Sequence, residues 1–142
     1  MYSRLFTSVL RPISLLAVIV LFLSSCSTKY AFSTSEVVPA ATGSVAVKKD
    51  NNKNYKIKLK VRNLAAPGKL PVSKDVYVVW METENSGTKN IGSLNTSSGM
   101  FSSKLKSSLQ TVSPFEPRSF FITAENSRSI QYPDGQVVLR TK

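Results

Sequence analysis

Cys26 is the only thiol in this 142-residue chain, and histidine is absent. Those two facts narrow the chemistry open to it. Without imidazole there is no His-assisted serine or cysteine catalysis, and the commonest zinc ligand is missing. Glu82 and Glu84 stand two apart and would share one face of a strand, the minimum for a carboxylate pair. They run into Asn85-Ser86-Gly87, however, which reads as a solvated strand end. Ser103-x-x-Lys106 has the spacing of a catalytic serine–lysine pair, but so short a motif without companions reads as a solvated face. No enzyme activity, cofactor or metal is expected.

The residue types left with a clear pattern are basic. Lys56, Lys58, Lys60 and Arg62 alternate with Tyr55, Ile57, Leu59 and Val61. A strand collects such charges on one side, whereas a helix would scatter them around its circumference. Lys48, Lys49 and Lys53 lie close by, and Asp50 is the single acid between residues 48 and 62. Two readings compete: lysines guarding the open edge of a sheet, or a surface that meets anions. On the second reading Lys56, Lys58, Lys60 and Arg62 are the binding residues.

The N-terminus supplies a context for that charge. Met1 to Pro12 holds Arg4 and Arg11 without an acid, and Ile13 to Leu23 (ISLLAVIVLFL) is an 11-residue run, apolar except for Ser14. Ser24, Ser25 and Cys26 follow. A basic start, a short apolar core and small residues are the layout of a secretory signal peptide. A membrane-crossing helix needs roughly 20 apolar residues, so the run is too short to span. Leu23-Ser24-Ser25-Cys26 resembles the lipobox of bacterial lipoproteins. That resemblance implies a diacylglycerol thioether on Cys26, cleavage before it, and a chain held to a membrane by its lipid. Two or more acyl chains anchor stably where one binds reversibly.

Residues 1–25 are thus expected to be the leader, and cleavage leaves 117 residues, the size of one domain. With Arg4 and Arg11 removed, the net charge falls from +11 to +9. Cys26 is the only cysteine, so an intrachain disulfide is ruled out and the domain must rest on its apolar core. Residues 26–42, small and polar with Pro39, read as the lipidated cysteine and a flexible tether.

From Gly43 a period of two dominates, which signals half-buried strands. Asp75 to Thr83 (DVYVVWMET) is β-branched and aromatic on both faces, as a central strand buried from both sides would be. Short strands are expected over Ile91–Thr96, Met100–Lys106, Ser119–Glu125 and Gln136–Thr141. Turns or loops fall at Leu64–Pro71, Ser86-Gly87, Ser97-Ser98-Gly99, Ser113–Pro117 and Pro133-Asp134-Gly135. Ser103 to Thr111 is the one segment that suggests a helical turn. Trp80, Tyr77, Phe120 and Phe121 fit core packing better than a ligand groove, and Glu125 fits a capping role at the following turn. The fold class is all-β: a small immunoglobulin-like antiparallel sandwich of about six to eight strands over residues 43–142.

Several pieces of this region resemble the C-terminal extracytoplasmic domain of anti-sigma-K-type anti-sigma factors. They are Tyr77-Val-Val-Trp80, Ile91-Gly92, Phe120 to Glu125, and Pro133-x-Gly135 before Val137-Val138-Leu139. The strand Tyr55 to Arg62 followed by a Leu-x-x-Pro loop fits the opening of that domain. In that family a transmembrane helix joins the domain to a cytosolic segment that grips a sigma factor. Here a lipobox stands in place of both, so direct sigma-factor binding is not expected. The resemblance implies the sandwich and a sensing or docking role on the outer side of a membrane.

Together these readings describe a non-enzymatic lipoprotein of the cell envelope. It would be lipid-anchored on the extracytoplasmic side, with serine after Cys26 favouring an outer membrane where one exists. The expected partners are the membrane, through Cys26, and an envelope protein or anionic envelope polymer, with nucleic acid excluded by export. Alternatives are an accessory sensor in a sigma/anti-sigma system and a small carboxylate-dependent hydrolase.

Overall fold

The computed structural model describes residues 27–97 and 106–142. The leader, Cys26, the turn at Ser98-Gly99 and residues 100–105 of one expected strand lie outside the described residues. Among the described residues nine strands follow in order: β1 Thr28–Ala31, β2 Thr42–Lys49, β3 Tyr55–Arg62, β4 Val76–Thr83, β5 Thr88–Ser93, β6 Asn95–Ser97, β7 Lys106–Ser113, β8 Pro117–Glu125 and β9 Val137–Arg140. They form two antiparallel sheets, ordered β1-β2-β3-β7-β6 and β5-β4-β8-β9. Without β1, that order is A-B-E-D against C′-C-F-G, the immunoglobulin arrangement of two sheets joined by crossing connections.

The period-two pattern explains the packing. Along β3 the burial alternates without a break: Tyr55, Ile57, Leu59 and Val61 are buried, and the four basic residues are exposed. Their apolar side meets Tyr77, Val79 and Met81 of β4 and Phe120, Ile122 and Ala124 of β8 in one core. Each large apolar side chain fully buried there contributes about 1.5–3 kcal/mol. The Leu64–Pro71 loop, containing a single 3₁₀ turn at Pro67–Lys69, closes one end by burying Leu64 and Leu70. Tyr77 fixes this loop by donating its hydroxyl hydrogen to the Ala65 carbonyl at 2.8 Å.

Strand β4 lies inside its sheet and is buried on both faces, as its apolar run requires. Its second face holds a smaller cluster of Val76, Val78, Trp80 and Phe121, against which Ile130 of the β8–β9 loop packs. Asn90 ties this loop down, donating from Nδ2 to the carbonyls of Arg128 and Ile130 at 3.0 and 2.9 Å.

Two expectations are corrected. Residues 28–42 do not form a tether. Thr28–Ala31 pairs with β2 from Thr28↔Val47 to Ala31↔Ser44, and Phe32 forms an isolated bridge to Thr141, just beyond β9. Tyr30 and Phe32 pack on the core, while Val38 and Ala41 are buried. Ser35 Oγ accepts from the amides of Val37 and Val38 and turns the chain back toward β2. Only two alternating aromatics announce β1, too short a signal to outweigh its small polar neighbours. The domain therefore begins at Thr28. The second correction concerns the suggested helical turn, since Lys106–Ser113 is strand β7. Its ladder with β3 runs over eight rungs, from Tyr55↔Ser113 to Arg62↔Lys106, and tertiary pairing overrides a weak local pattern.

Candidate anionic-surface interface

The basic residues of β3 occupy the solvent side of the five-stranded sheet. In an antiparallel sheet, directly opposed residues point to the same face. Register therefore fixes who shares that face. Lys56 stands opposite Lys48 and Val112, Lys58 opposite Ala46 and Gln110, Lys60 opposite Ser44 and Ser108, and Arg62 opposite Thr42 and Lys106. Lys29 of β1, opposite Ala46, lies on the same side. With a rise of about 3.4 Å per residue, the row from Lys56 to Arg62 extends over roughly 20 Å.

No acid occupies an outward position on β1, β2, β3 or β7. The nearest in sequence, Asp50, is spent on the β2–β3 turn. Its Oδ1 accepts from the amides of Asn52 and Asn54 at 2.9 and 3.0 Å. The turn also places Lys53 at a φ of 64°.

Strand β3 has a neighbour on each side, so it is not an edge. That removes edge protection as the reason for its four bases, because an interior strand has no open N–H and C=O row to guard. Like charges opposed across strands cost stability, and Lys48↔Lys56 is such a rung. Structure alone would not favour this distribution. What it can do chemically is present a broad, flat positive field to an anionic surface.

The opposite sheet offers a contrast. Its outer face is covered by the β8–β9 loop over Trp80 and Phe121, whose rings stack with centroids 6.2 Å apart. Trp80 is fully buried and donates from Nε1 to Thr123 Oγ1 at 2.8 Å. Thr123 donates in turn to Glu125 Oε1 at 2.6 Å. Glu125 Oε1 also accepts the amides of Asp134 and Gly135 at 3.2 and 3.0 Å. Glu125 therefore caps the turn that follows, and the four aromatics Tyr77, Trp80, Phe120 and Phe121 are all buried.

The two carboxylates at the end of β4 have separate surroundings. Glu82 accepts from the Ser119 hydroxyl and pairs with Arg140 at 3.0 Å. The Ser119 hydrogen bond, with the guanidinium beside it, holds the Glu82 carboxyl below the usual carboxylate range. Arg140 also lies over the Phe121 ring, 4.5 Å from its centroid. Glu84 is exposed in the β4–β5 hairpin. Of the suggested serine–lysine pair, Ser103 falls outside the described residues and Lys106 opens β7.

The structure thus brings Lys56, Lys58, Lys60 and Arg62 together on one face and adds Lys29, Lys48 and Lys106 to it. The addition of Lys29 and Lys106 depends on pairing between distant segments, and no local signal in the sequence announces it. Cys26 lies outside the described residues. No protein-family model, curated protein or solved structure matches this chain.

Proposed function

We propose that this chain is a lipid-anchored protein of the bacterial cell envelope, held on the extracytoplasmic side through Cys26. Its sandwich acts without catalysis, as a binding module for an anionic envelope component. The observation supporting the binding surface is the position of β3: four bases in a row on an interior strand, with no acid on their face. The leader layout and the Leu23-Ser24-Ser25-Cys26 motif support the anchor. The sensing role implied by the anti-sigma-K-type resemblance would be exercised by this same module.

Two experiments test the reading separately. Cys26→Ser should abolish incorporation of a palmitate analogue in cells and leave unprocessed or unlipidated chain; unchanged labelling would remove the anchor from the proposal. The unlipidated domain should bind anionic envelope material at low salt and release it as salt rises. Each base near an anionic surface contributes about 1 kcal/mol. Changing Lys56, Lys58, Lys60 and Arg62 together to Gln should therefore abolish salt-sensitive binding while leaving dichroism unchanged. Binding that survives in that variant would move the interface elsewhere.

A further inference from the structure

We infer that the basic face of the five-stranded sheet lies flat on the anionic lipid headgroups of the membrane to which the chain is anchored. The inference rests on the lipidation of Cys26 proposed above and adds the occupant of the face and the orientation of the domain.

The first observation is the length of the connection. Strand β1 begins at Thr28, two residues after Cys26. Two extended residues reach about 7 Å at most. Thr28 pairs with Val47, and β2 in turn pairs with β3, so β3 is two strand spacings, roughly 10 Å, from β1. A lipid on Cys26 thereby holds the near end of the basic row close to the headgroups, within a reach comparable to the Debye length of about 8 Å. A sandwich on so short a leash meets its own membrane before any other surface.

The second observation is the placement of charge, which decides between lying flat and standing on end. The end near Thr28 contains the β2–β3 hairpin, and also Glu116, which lines a depression there with Thr28, Tyr30 and Lys49. Exposed Glu84 is on the hairpin beyond Thr83, whose partner Pro117 adjoins Glu116. Standing on that end would press three carboxylates, Asp50, Glu84 and Glu116, toward an anionic surface, so the cations there, Lys49 and Lys53, would meet it within a field of mixed sign. The flat face presents Lys29, Lys48, Lys56, Lys58, Lys60 and Arg62 with no acid among them, and its complement is a sheet of negative headgroups.

Orientation can be read directly, because lipidation consumes the only native thiol and any introduced cysteine is then unique. The full lipidated protein, purified from membranes, is reconstituted into phosphatidylcholine vesicles containing phosphatidylglycerol and a headgroup-nitroxide lipid. A thiol-reactive fluorophore is placed in turn at Ser44→Cys, Ser108→Cys, Asn52→Cys and Ser127→Cys. Ser44 and Ser108 flank Lys60, far from the anchor along the strands. Asn52 marks the hairpin end, and Ser127 the exposed loop on the opposite sheet.

At low salt, quenching at Ser44 and Ser108 should exceed that at Ser127 severalfold. It should fall to the Ser127 level at high salt, or when Lys60→Gln and Arg62→Gln are added. Strongest quenching at Asn52 alone would overturn the flat arrangement in favour of end-on contact. Equal weak quenching at all four sites would show a domain that stands off the bilayer, leaving a polyanion or an acidic protein as the occupant. Retention on the vesicles through a high-salt wash reports the anchor independently. Loss of retention refutes the lipidation of Cys26, whereas retained protein without face-specific quenching refutes this inference alone.

Discussion

Lys48 stands directly opposite Lys56 across β2 and β3, so two ammonium groups share one rung of the outer sheet face. Opposed like charges destabilise by a few tenths to about 1 kcal/mol, and salt screens that repulsion. Thermal stability should therefore rise with added sodium chloride at low ionic strength. Lys56→Glu should make the domain more stable in low salt by about that amount, while weakening its binding to anionic vesicles. A melting temperature that falls in this variant would show that the rung costs nothing.

The relay from Trp80 through Thr123 to Glu125 links the smaller apolar cluster to the β8–β9 turn. Thr123→Val leaves the Trp80 N–H without its acceptor and removes one donor to Glu125, which should cost about 1–3 kcal/mol in denaturant unfolding. Trp80→Ala should cost roughly 3–5 kcal/mol. Trp80 is the only tryptophan, so its emission reports this region alone and should be that of a buried indole.

Gly135 makes the same turn sensitive to a single methyl group. A Cβ there would overlap the Ala124 carbonyl and come within 2.8 Å of Glu125 Oε2. Gly135→Ala should displace the turn and expose part of the Trp80 cluster, read as a red shift of its emission. An unshifted spectrum would mean that the loop and the cluster are uncoupled.

Stability should fall at both ends of the pH scale for identifiable reasons. The Glu82 carboxyl is held low by Ser119 and Arg140. Its contribution is present above the ordinary carboxylate range and disappears as pH drops through the lower folded value. Glu82→Gln should flatten the acid limb of the stability curve. Burial raises the Tyr77 phenol from 10.0 to about 12, so its contribution is complete below pH 10.0 and is lost between there and about 12. Tyr77→Phe should flatten the alkaline limb and, by removing the hydrogen bond to Ala65, cost about 1 kcal/mol at neutral pH.

Residues 28–42 supply a further test. A chain beginning at Gly43 lacks β1, leaves β2 as an open edge and strips Tyr30 and Phe32 from the core. It should unfold at distinctly lower denaturant than a chain beginning at Ser27, and associate through the new edge.

How much of this was legible follows from the range of each signal. Strand β3 could be read residue by residue, because its alternation is local and one face is buried along its whole length. The two-sided burial of β4 was equally plain from its apolar run, and the Pro133-Asp134-Gly135 turn from its residue types. The basic row was visible too, but its meaning was not, since edge and interior strands share the same alternation. Only the pairing of β3 with β7, separated from it by more than forty residues of chain, decides that question. β1 escaped because its partner supplies most of its order.

The Lys142 amide donates to the Ala31 carbonyl at 3.2 Å, and Ser33 to the carbonyl of Arg140 at 2.9 Å. The first strand is thus locked by residues more than a hundred positions later. Contacts so distant in sequence form late and slow the whole reaction. For a chain exported as proposed, β1 leaves the translocation channel first and waits for the partners that lock it to emerge. The sandwich cannot lock β1 until residues 140–142 have emerged, and its topology thereby delays closure during export.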